Sequence, residues 1–589
     1  MSYLHPYQDV DFVLRKVVDF DALCAAASLD EINTDLATAI LEEAGKIGTE
    51  VLEPLNRVGD QQGAKMGAEG VEETPGFKDA YRHFIEGGWL SLAVAEDHGG
   101  QDLPNTLSFA VNEIWHSANM AFALCPMLTQ GAMEAISHHA SDALKAQYLP
   151  KMATGEWTGT MNISEAEAGS DLAAIKTRAR PEGDHYRISG QKIFITWGDH
   201  AMTDNIVHLV LARLPDAPPG VKGISLFIAP KFLLDANGEP GERNAVECLS
   251  IEHKLGIHGS PTCVMEFTDA IGYLVGEPNK GLAYMFTMMN HARQSVGLQG
   301  LAISERAYQE ARQWAKDRLQ GTRRDGTRFP IIEYPDVRRM LMTMKSSVEA
   351  MRALSLVAAA EADRSRYAAD ADVSARHFAR LELYTPIVKG WLTELSQELT
   401  SLGIQVFGGM GYVEETGAAQ HYRDARILPI YEGTTGIQAQ DFIGRKMLSN
   451  EGRALQDLLD EMNQTLEALR QAHYPHPTVI ESLEMALEAG DKARQWVLEN
   501  AAADRDLAGS AGFNFLMLFG WLTGGWLLAK GALQAQAMLA SGEGDPAFLN
   551  AKLTTARFFC EHLLPRTQAC LASVLAGSAS IMGLTVDQF

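Results

Sequence analysis

Cysteine is scarce in this chain, six in 589 residues, and Cys24, Cys125, Cys248, Cys263, Cys560 and Cys570 are widely scattered. No C-x-x-C pair and no neighbouring histidine at ligand spacing occurs, so a disulfide framework and a zinc site both lack their usual donors, and no metal is expected. Basic clusters are missing too. Fifty Lys and Arg stand against seventy-five Asp and Glu, a formal charge of −25, and nothing resembles the run of cations that successive phosphates require, which excludes nucleic acid as an expected partner. Neither a G-x-G-x-x-G after a strand nor a G-x-x-x-x-G-K-[ST] is present, so nicotinamide Rossmann and P-loop readings lose their main support. The first dozen residues carry acids where an export signal needs bases, and the expected location is cytoplasmic.

At roughly 100–200 residues per domain the length implies several domains. Residues 1–30 read as an N-terminal arm. From 31 to 157 apolar residues recur at three-and-four spacing, as in Phe109-Ala110-Val111-Asn112-Glu113-Ile114-Trp115, and predict a helical domain. Between 158 and 275 short β-branched runs alternate with Gly, Pro and Asp turns, predicting a central β-barrel domain. The helical period returns over 276–450 as a four-helix bundle, and 451–589 reads as an additional helical domain, giving an α+β chain. Leu507 to Ala529 contains no charge and is long enough to span a bilayer. Its five glycines and Asn514 favour a buried helical hairpin, with peripheral contact to the inner membrane as the second reading.

Three passages carry chemistry. In Ile430-Tyr431-Glu432-Gly433-Thr434-Thr435-Gly436-Ile437-Gln438 a carboxylate stands between an apolar run and a Gly/Thr turn that opens a helix, where it could serve as a general base. A lone Glu among so many acids is more often a solvated surface group, but this one is flanked by apolar residues. Met161-Asn162-Ile163-Ser164-Glu165-Ala166-Glu167-Ala168-Gly169-Ser170-Asp171 has the small residues and hydroxyls of an anion-accepting turn, and equally of a plain loop with an N-cap. In Gly190-Gln191-Lys192-Ile193-Phe194-Ile195-Thr196-Trp197-Gly198 strand alternation puts Phe194 and Thr196 on one face, a packing surface beside a donor.

Together with Gln405-Val406-Phe407-Gly408-Gly409-Met410-Gly411-Tyr412 and Arg423-Asp424, these ordered motifs resemble the acyl-CoA dehydrogenase family, in particular its larger bacterial subgroup with a C-terminal extension. The resemblance implies FAD as cofactor, α,β-desaturation of a fatty acyl-CoA in β-oxidation, electron-transferring flavoprotein as acceptor, and a homodimer. Acyl-CoA oxidase chemistry on the same fold is an alternative, as is a short thioether acyl-CoA in place of a medium or long chain; a non-catalytic DNA-associated flavoprotein of the superfamily would need a basic face that this acidic chain does not advertise. By the same resemblance Glu432 is the base. Ser164, Ser170, Phe194, Thr196, Arg318, Gln405, Gly408, Gly409 and Thr434 hold the flavin, and Ser170, Arg293, Tyr431 and Gly433 the substrate. Cys125 to Gly131 and Met285 to Asn290 are expected along the acyl tunnel. His258 and Trp197 depart from the family pattern, which usually has Arg and Asn there.

Overall fold

The computed structural model describes residues 3–589. Its N-terminal quarter is mainly helical and includes the long Asn105–His139 segment, which bends at Asn119 where φ is −156° and ψ is 91°. The bend is held by the Asn119 side chain, which accepts from Phe122 N (3.1 Å) and donates to Leu52 O (3.2 Å). Asn119 thus caps the second half of the segment from within.

A seven-stranded sheet follows: β1 (Trp157–Asn162), β2 (Arg178–Glu182), β3 (His185–Thr196), β4 (Asn205–Arg213), β5 (Ile224–Pro230), β6 (Val246–Ile251) and β7 (Thr262–Val275). Their order is β6-β7-β3-β2-β4-β1, with β5 bonded to both β7 and β4. The element is a curled mixed sheet in which β2 meets β4 at the single pair Arg178 and Arg213. The parallel pair β1 and β4 adds a strand beyond any ring.

Gly281–Asp317, Pro335–Tyr367 and Ala371–Phe407 form the bundle's long helices. The first and third approach closely because Gly297 and Gly300 face Val388 and Leu392: a Cβ on Gly297 would lie 2.7 Å from the Val388 carbonyl oxygen, and one on Gly300 2.8 Å from that of Leu392. Five further helices follow residue 452.

Leu507–Ser541 is one continuous helix, so the hairpin expectation is replaced by a single core helix, 89% of whose most apolar stretch is buried. Its glycines serve packing rather than a turn. A Cβ on Gly520 would fall 2.1 Å from Trp391 Cγ, and one on Gly524 2.7 Å from Trp391 Cη2. Trp391 is fully buried, so the appended helices bury a face of the bundle that would otherwise expose indole and leucine to water.

Candidate active site

Glu432 sits on a backbone kink. After the Ala418–Ala425 helix the chain turns back through Ile430 N to Ile427 O (2.9 Å). Glu432 and Gly433 then adopt φ of 54° and 85°. A left-handed glutamate costs about 1 kcal/mol, which the surroundings offset: Thr435 N donates to Pro429 O (3.1 Å), Thr435 Oγ1 donates to Glu394 Oε1 (2.6 Å), and Gln438 Nε2 donates to Glu432 O (3.3 Å). Thr434 caps the Thr435–Asp441 helix, accepting from Ile437 N. At Gly433 a Cβ would meet Gln438 Nε2 at 2.8 Å and Arg293 Nη2 at 3.8 Å, so glycine is required by conformation and by space.

The Glu432 side chain makes no hydrogen bond among the described residues, and neither does its N–H. The residue is half-buried, yet protein surrounds the carboxyl closely enough that loss of water pushes its pKa up to about 7, against the opposing pull of Arg293 and Lys389. Arg293 is buried, with Nη1 3.9 Å from Asp441 Oδ2 and Nε without a partner. Burial lowers its pKa, while Asp441 and Glu432 raise it. Lys389, which sequence reasoning passed over, is fully buried with no hydrogen-bond partner for Nζ among the described residues.

Tyr431 donates to Gln299 Oε1, and Gln299 Nε2 contacts Met127 Sδ at 3.3 Å, which ties the kink to the Asn105–His139 segment. The same segment receives Trp197: the buried indole Nε1 donates to Ala121 O (3.1 Å). Ala121 and Met127 are six residues apart, about 9 Å along a helix axis, so one helix carries both the end of β3 and the base's neighbourhood.

On the sheet, Phe194 is 62% exposed at φ 60°, in a bulge where the pairing slips between Cys263 with Ile195 and Met265 with Lys192. Ile195 is buried between the exposed Phe194 and the half-buried Thr196. Ser164 is half-buried and its carbonyl accepts from Ile193 N (2.9 Å), whereas Ser170 lies exposed on the loop that follows.

What holds that loop against the strand is a pair the sequence did not single out. Lys192 Nζ donates to Glu165 Oε1 (2.8 Å), and Glu165 also accepts from Lys176 N (2.7 Å) and Thr177 Oγ1 (2.6 Å). Burial lowers the Lys192 pKa to about 8, partly countered by Glu165. Two motifs 27 residues apart are thereby locked together.

Arg318, Gln405, Gly408 and Gly409 gather elsewhere, at one end of the bundle. Trp314 stacks on Phe407 at 4.7 Å and 14°, and Arg318 lies 5.9 Å from the Trp314 ring. Open space surrounds Gly408 and Gly409 where a Cβ would be. A bare phenylalanine face beside a half-buried Thr, and uncovered glycines beside an exposed guanidinium, fit a flat ring with a diphosphate tail. His258 closes a turn, its Nδ1 and Nε2 each 2.9 Å from the carbonyls of Asp60 and Lys254. The adjacent Ile257 N donates to Asp424 Oδ1 (2.5 Å), so this loop is fastened to the Arg423-Asp424 passage.

A cavity of about 780 Å³ lies between Asn105–His139, Gly281–Asp317 and Ala371–Phe407, lined in part by Gln130, Phe286, Thr287, Asn290 and Gln294. Of the expected tunnel residues, Gln130, Phe286, Thr287 and Asn290 reach it. Met285 and Met288 are packed in the core, fully buried.

Four domain profiles match the chain in order: the acyl-CoA dehydrogenase N-terminal domain over 37–156, middle domain over 160–270 and C-terminal domain over 279–448, then the acetyl-CoA dehydrogenase C-terminal-like domain over 458–585. The sequence is 46% identical to 3-methylmercaptopropionyl-CoA dehydrogenase of Ruegeria pomeroyi across 97% of both chains. It is 34% identical to the broad-specificity linear acyl-CoA dehydrogenase FadE5 of Mycobacterium tuberculosis across 96% of both. Among solved structures, Caenorhabditis elegans ACDH-11 in complex with C11-CoA superposes with a TM-score of 0.78 at 21% identity, over 96% of this chain and 92% of that one. Acyl-CoA dehydrogenase complexed with FAD from Bacillus anthracis superposes with a TM-score of 0.75 at 22% identity, over 95% and 90%.

Proposed function

The chain belongs to the acyl-CoA dehydrogenase family, and from that premise we propose that Glu432 removes the α-proton of an acyl-CoA thioester in a flavin-dependent α,β-desaturation. The observation that carries this reading is a carboxyl held in left-handed backbone, free of hydrogen bonds, with its pKa pushed to about 7. A base poised near working pH takes a proton most effectively. FAD, when bound, accepts the β-hydrogen as hydride. The unengaged Glu432 N–H is available to polarise the thioester carbonyl, an oxyanion-type donor. Gln438 holds the two carbonyls that follow it, those of Glu432 and Gly433, and Arg293, close to Gly433, supplies positive charge. Ser164, Phe194 and Thr196 are assigned to the flavin ring, Ser170 to the flavin or the CoA chain, Thr434 to the flavin, and Arg318, Gln405, Gly408 and Gly409 to its diphosphate end.

Because only the ionised carboxylate is a base, activity rises with pH through the Glu432 pKa. The rate constant for flavin bleaching by substrate, measured anaerobically across pH, is expected to fall roughly tenfold per pH unit below about 7. A profile flat down to pH 5 would remove Glu432 from the role.

For the acyl group, the 46% identical relative favours a short thioether chain such as 3-methylmercaptopropionyl over the medium or long chain expected from sequence. The 780 Å³ cavity lined by Gln130, Phe286 and Asn290 favours the longer chain as second reading. Anaerobic bleaching with a graded series of acyl-CoAs separates them: the short thioether and butyryl thioesters are expected to react fastest, and rates climbing steadily towards long chains would reverse the assignment. Electron-transferring flavoprotein is the proposed acceptor, tested against oxygen by peroxide release. A cytoplasmic homodimer is the proposed setting. The burial of Leu507–Ser541 supports an internal role for it rather than membrane contact.

A further inference from the structure

Lys389 is the buried charge that the reaction as described does not use. No part of it reaches solvent, and its Nζ has no hydrogen-bond partner among the described residues. Lysines normally extend their stems to bring the ammonium to water, but this helical turn is clamped on three sides. Val388 packs on Gly297, while at Gly390 a Cβ would lie 2.4 Å from Leu516 Cδ2 and 3.7 Å from Gln438 Cβ. The Gln438 contact is telling, because the Gln438 amide holds the backbone carbonyls of Glu432 and Gly433.

The charged groups that act on Lys389 are Glu432 from the kink, Arg293 from the Gly281–Asp317 helix and Glu394 from its own helix, with Glu432 the strongest of the three. Glu394 is already engaged by Thr435 Oγ1, and Arg293 faces Asp441, which Arg445 also pairs (3.1 Å). A buried ammonium without partners is strongly unfavourable, and an apolar side chain of like length would fill the site better.

We propose that Lys389 is a positioning residue for the proton transfer, its ammonium being the counter-charge that keeps the Glu432 carboxylate ionised until substrate arrives. The inference rests on Glu432 being the base. Burial lowers the Lys389 pKa to about 7, with Glu432 opposing the fall, so the two groups titrate in one range and each biases the other's proton.

The test follows the Glu432 proton directly in the holoenzyme, by infrared difference titration of its protonated-carboxyl band, assigned by loss of that band in Glu432→Gln. Lys389→Met is expected to move the midpoint up by about one pH unit, with the acid limb of kcat/KM following it, while Lys389→Arg leaves both near their original positions. Thermal stability of Lys389→Met is expected to be unchanged or higher, since an unpaired buried charge is removed. Should Lys389→Met fail to accumulate, Lys389→Gln carries the same expectation. A midpoint that stays put in the uncharged variants, or shifts equally in Lys389→Arg, overturns the proposal while leaving Glu432 as base. Near-normal flavin bleaching by Glu432→Gln would overturn the base assignment and this inference with it.

Discussion

Glu432→Gln is expected to slow flavin bleaching by acyl-CoA about 10²–10⁴-fold while leaving the bound flavin's absorbance and acyl-CoA affinity near normal. Glutamine keeps the length and planarity of the side chain, so packing against Tyr431 and Gly433 is preserved and only the ability to accept a proton is lost. The kink itself should survive, because what holds it is the Thr435 N–H bond to Pro429, the Thr435 hydroxyl on Glu394 and the Gln438 amide on the Glu432 carbonyl, none of which involves the carboxylate. Stopped-flow measurement under anaerobic single-turnover conditions isolates the step from electron transfer out of the flavin. A rate within tenfold of the unmodified enzyme would assign the proton to another group.

Arg352→Met is expected to lower folding stability by about 3–5 kcal/mol, read as a large drop in the thermal midpoint. Arg352 is fully buried and meets three carboxylates: Glu113 Oε1 at 2.7 Å, Glu305 Oε2 at 2.7 Å, and Asp9. Lys552 joins Asp9 to Glu349 (2.8 Å), and Lys345 also pairs with Glu349.

This network draws on five elements far apart in sequence: Tyr7–Val13, Asn105–His139, Gly281–Asp317, Pro335–Tyr367 and Pro546–His562. With Arg352 gone, Asp9, Glu113, Glu305 and Glu349 would face only Lys345 and Lys552. Burial already raises the Glu113 carboxyl. A raised carboxyl contributes stability at low pH that is lost as pH rises through its folded pKa, so the deficit in the variant should widen towards alkaline pH. A midpoint shift of a degree or two would mean that water or rearranged partners satisfy these acids.

The legible parts of the site were those whose chemistry is local. The Glu432-Gly433 pair advertises its left-handed turn through the glycine, and Thr434 its helix cap. Gly408 and Gly409 likewise announce an approach that side chains would block. On β3 the chain bulges at Phe194, leaving Lys192 and Ile195 buried and Phe194 exposed, a departure from the strand's period of two that no local pattern announces.

Other features rested on residues with no local signal. Lys192, Glu165, Lys389, Asp9, Arg352 and Lys552 have neighbours in sequence that say nothing of their burial or their partners. The Leu507–Ser541 glycines suggested a turn, whereas Gly520, Gly524 and Gly525 are gaps that Trp391 and Leu564 fill. The curl of the sheet depended on β5 bonding to both β7 and β4, a pairing that composition does not encode.

The sequence by itself determined the family, the order of helical and β segments, and the carboxylate at the kink, because spacing, turn chemistry and charge balance act over a few residues. Only the tertiary structure decided which charges share a buried space, which helix lies inside the molecule, and how Glu432 comes to be without a hydrogen bond between Arg293 and Lys389. Those outcomes depend on desolvation and on long-range packing, and water is excluded only once elements hundreds of residues apart have met.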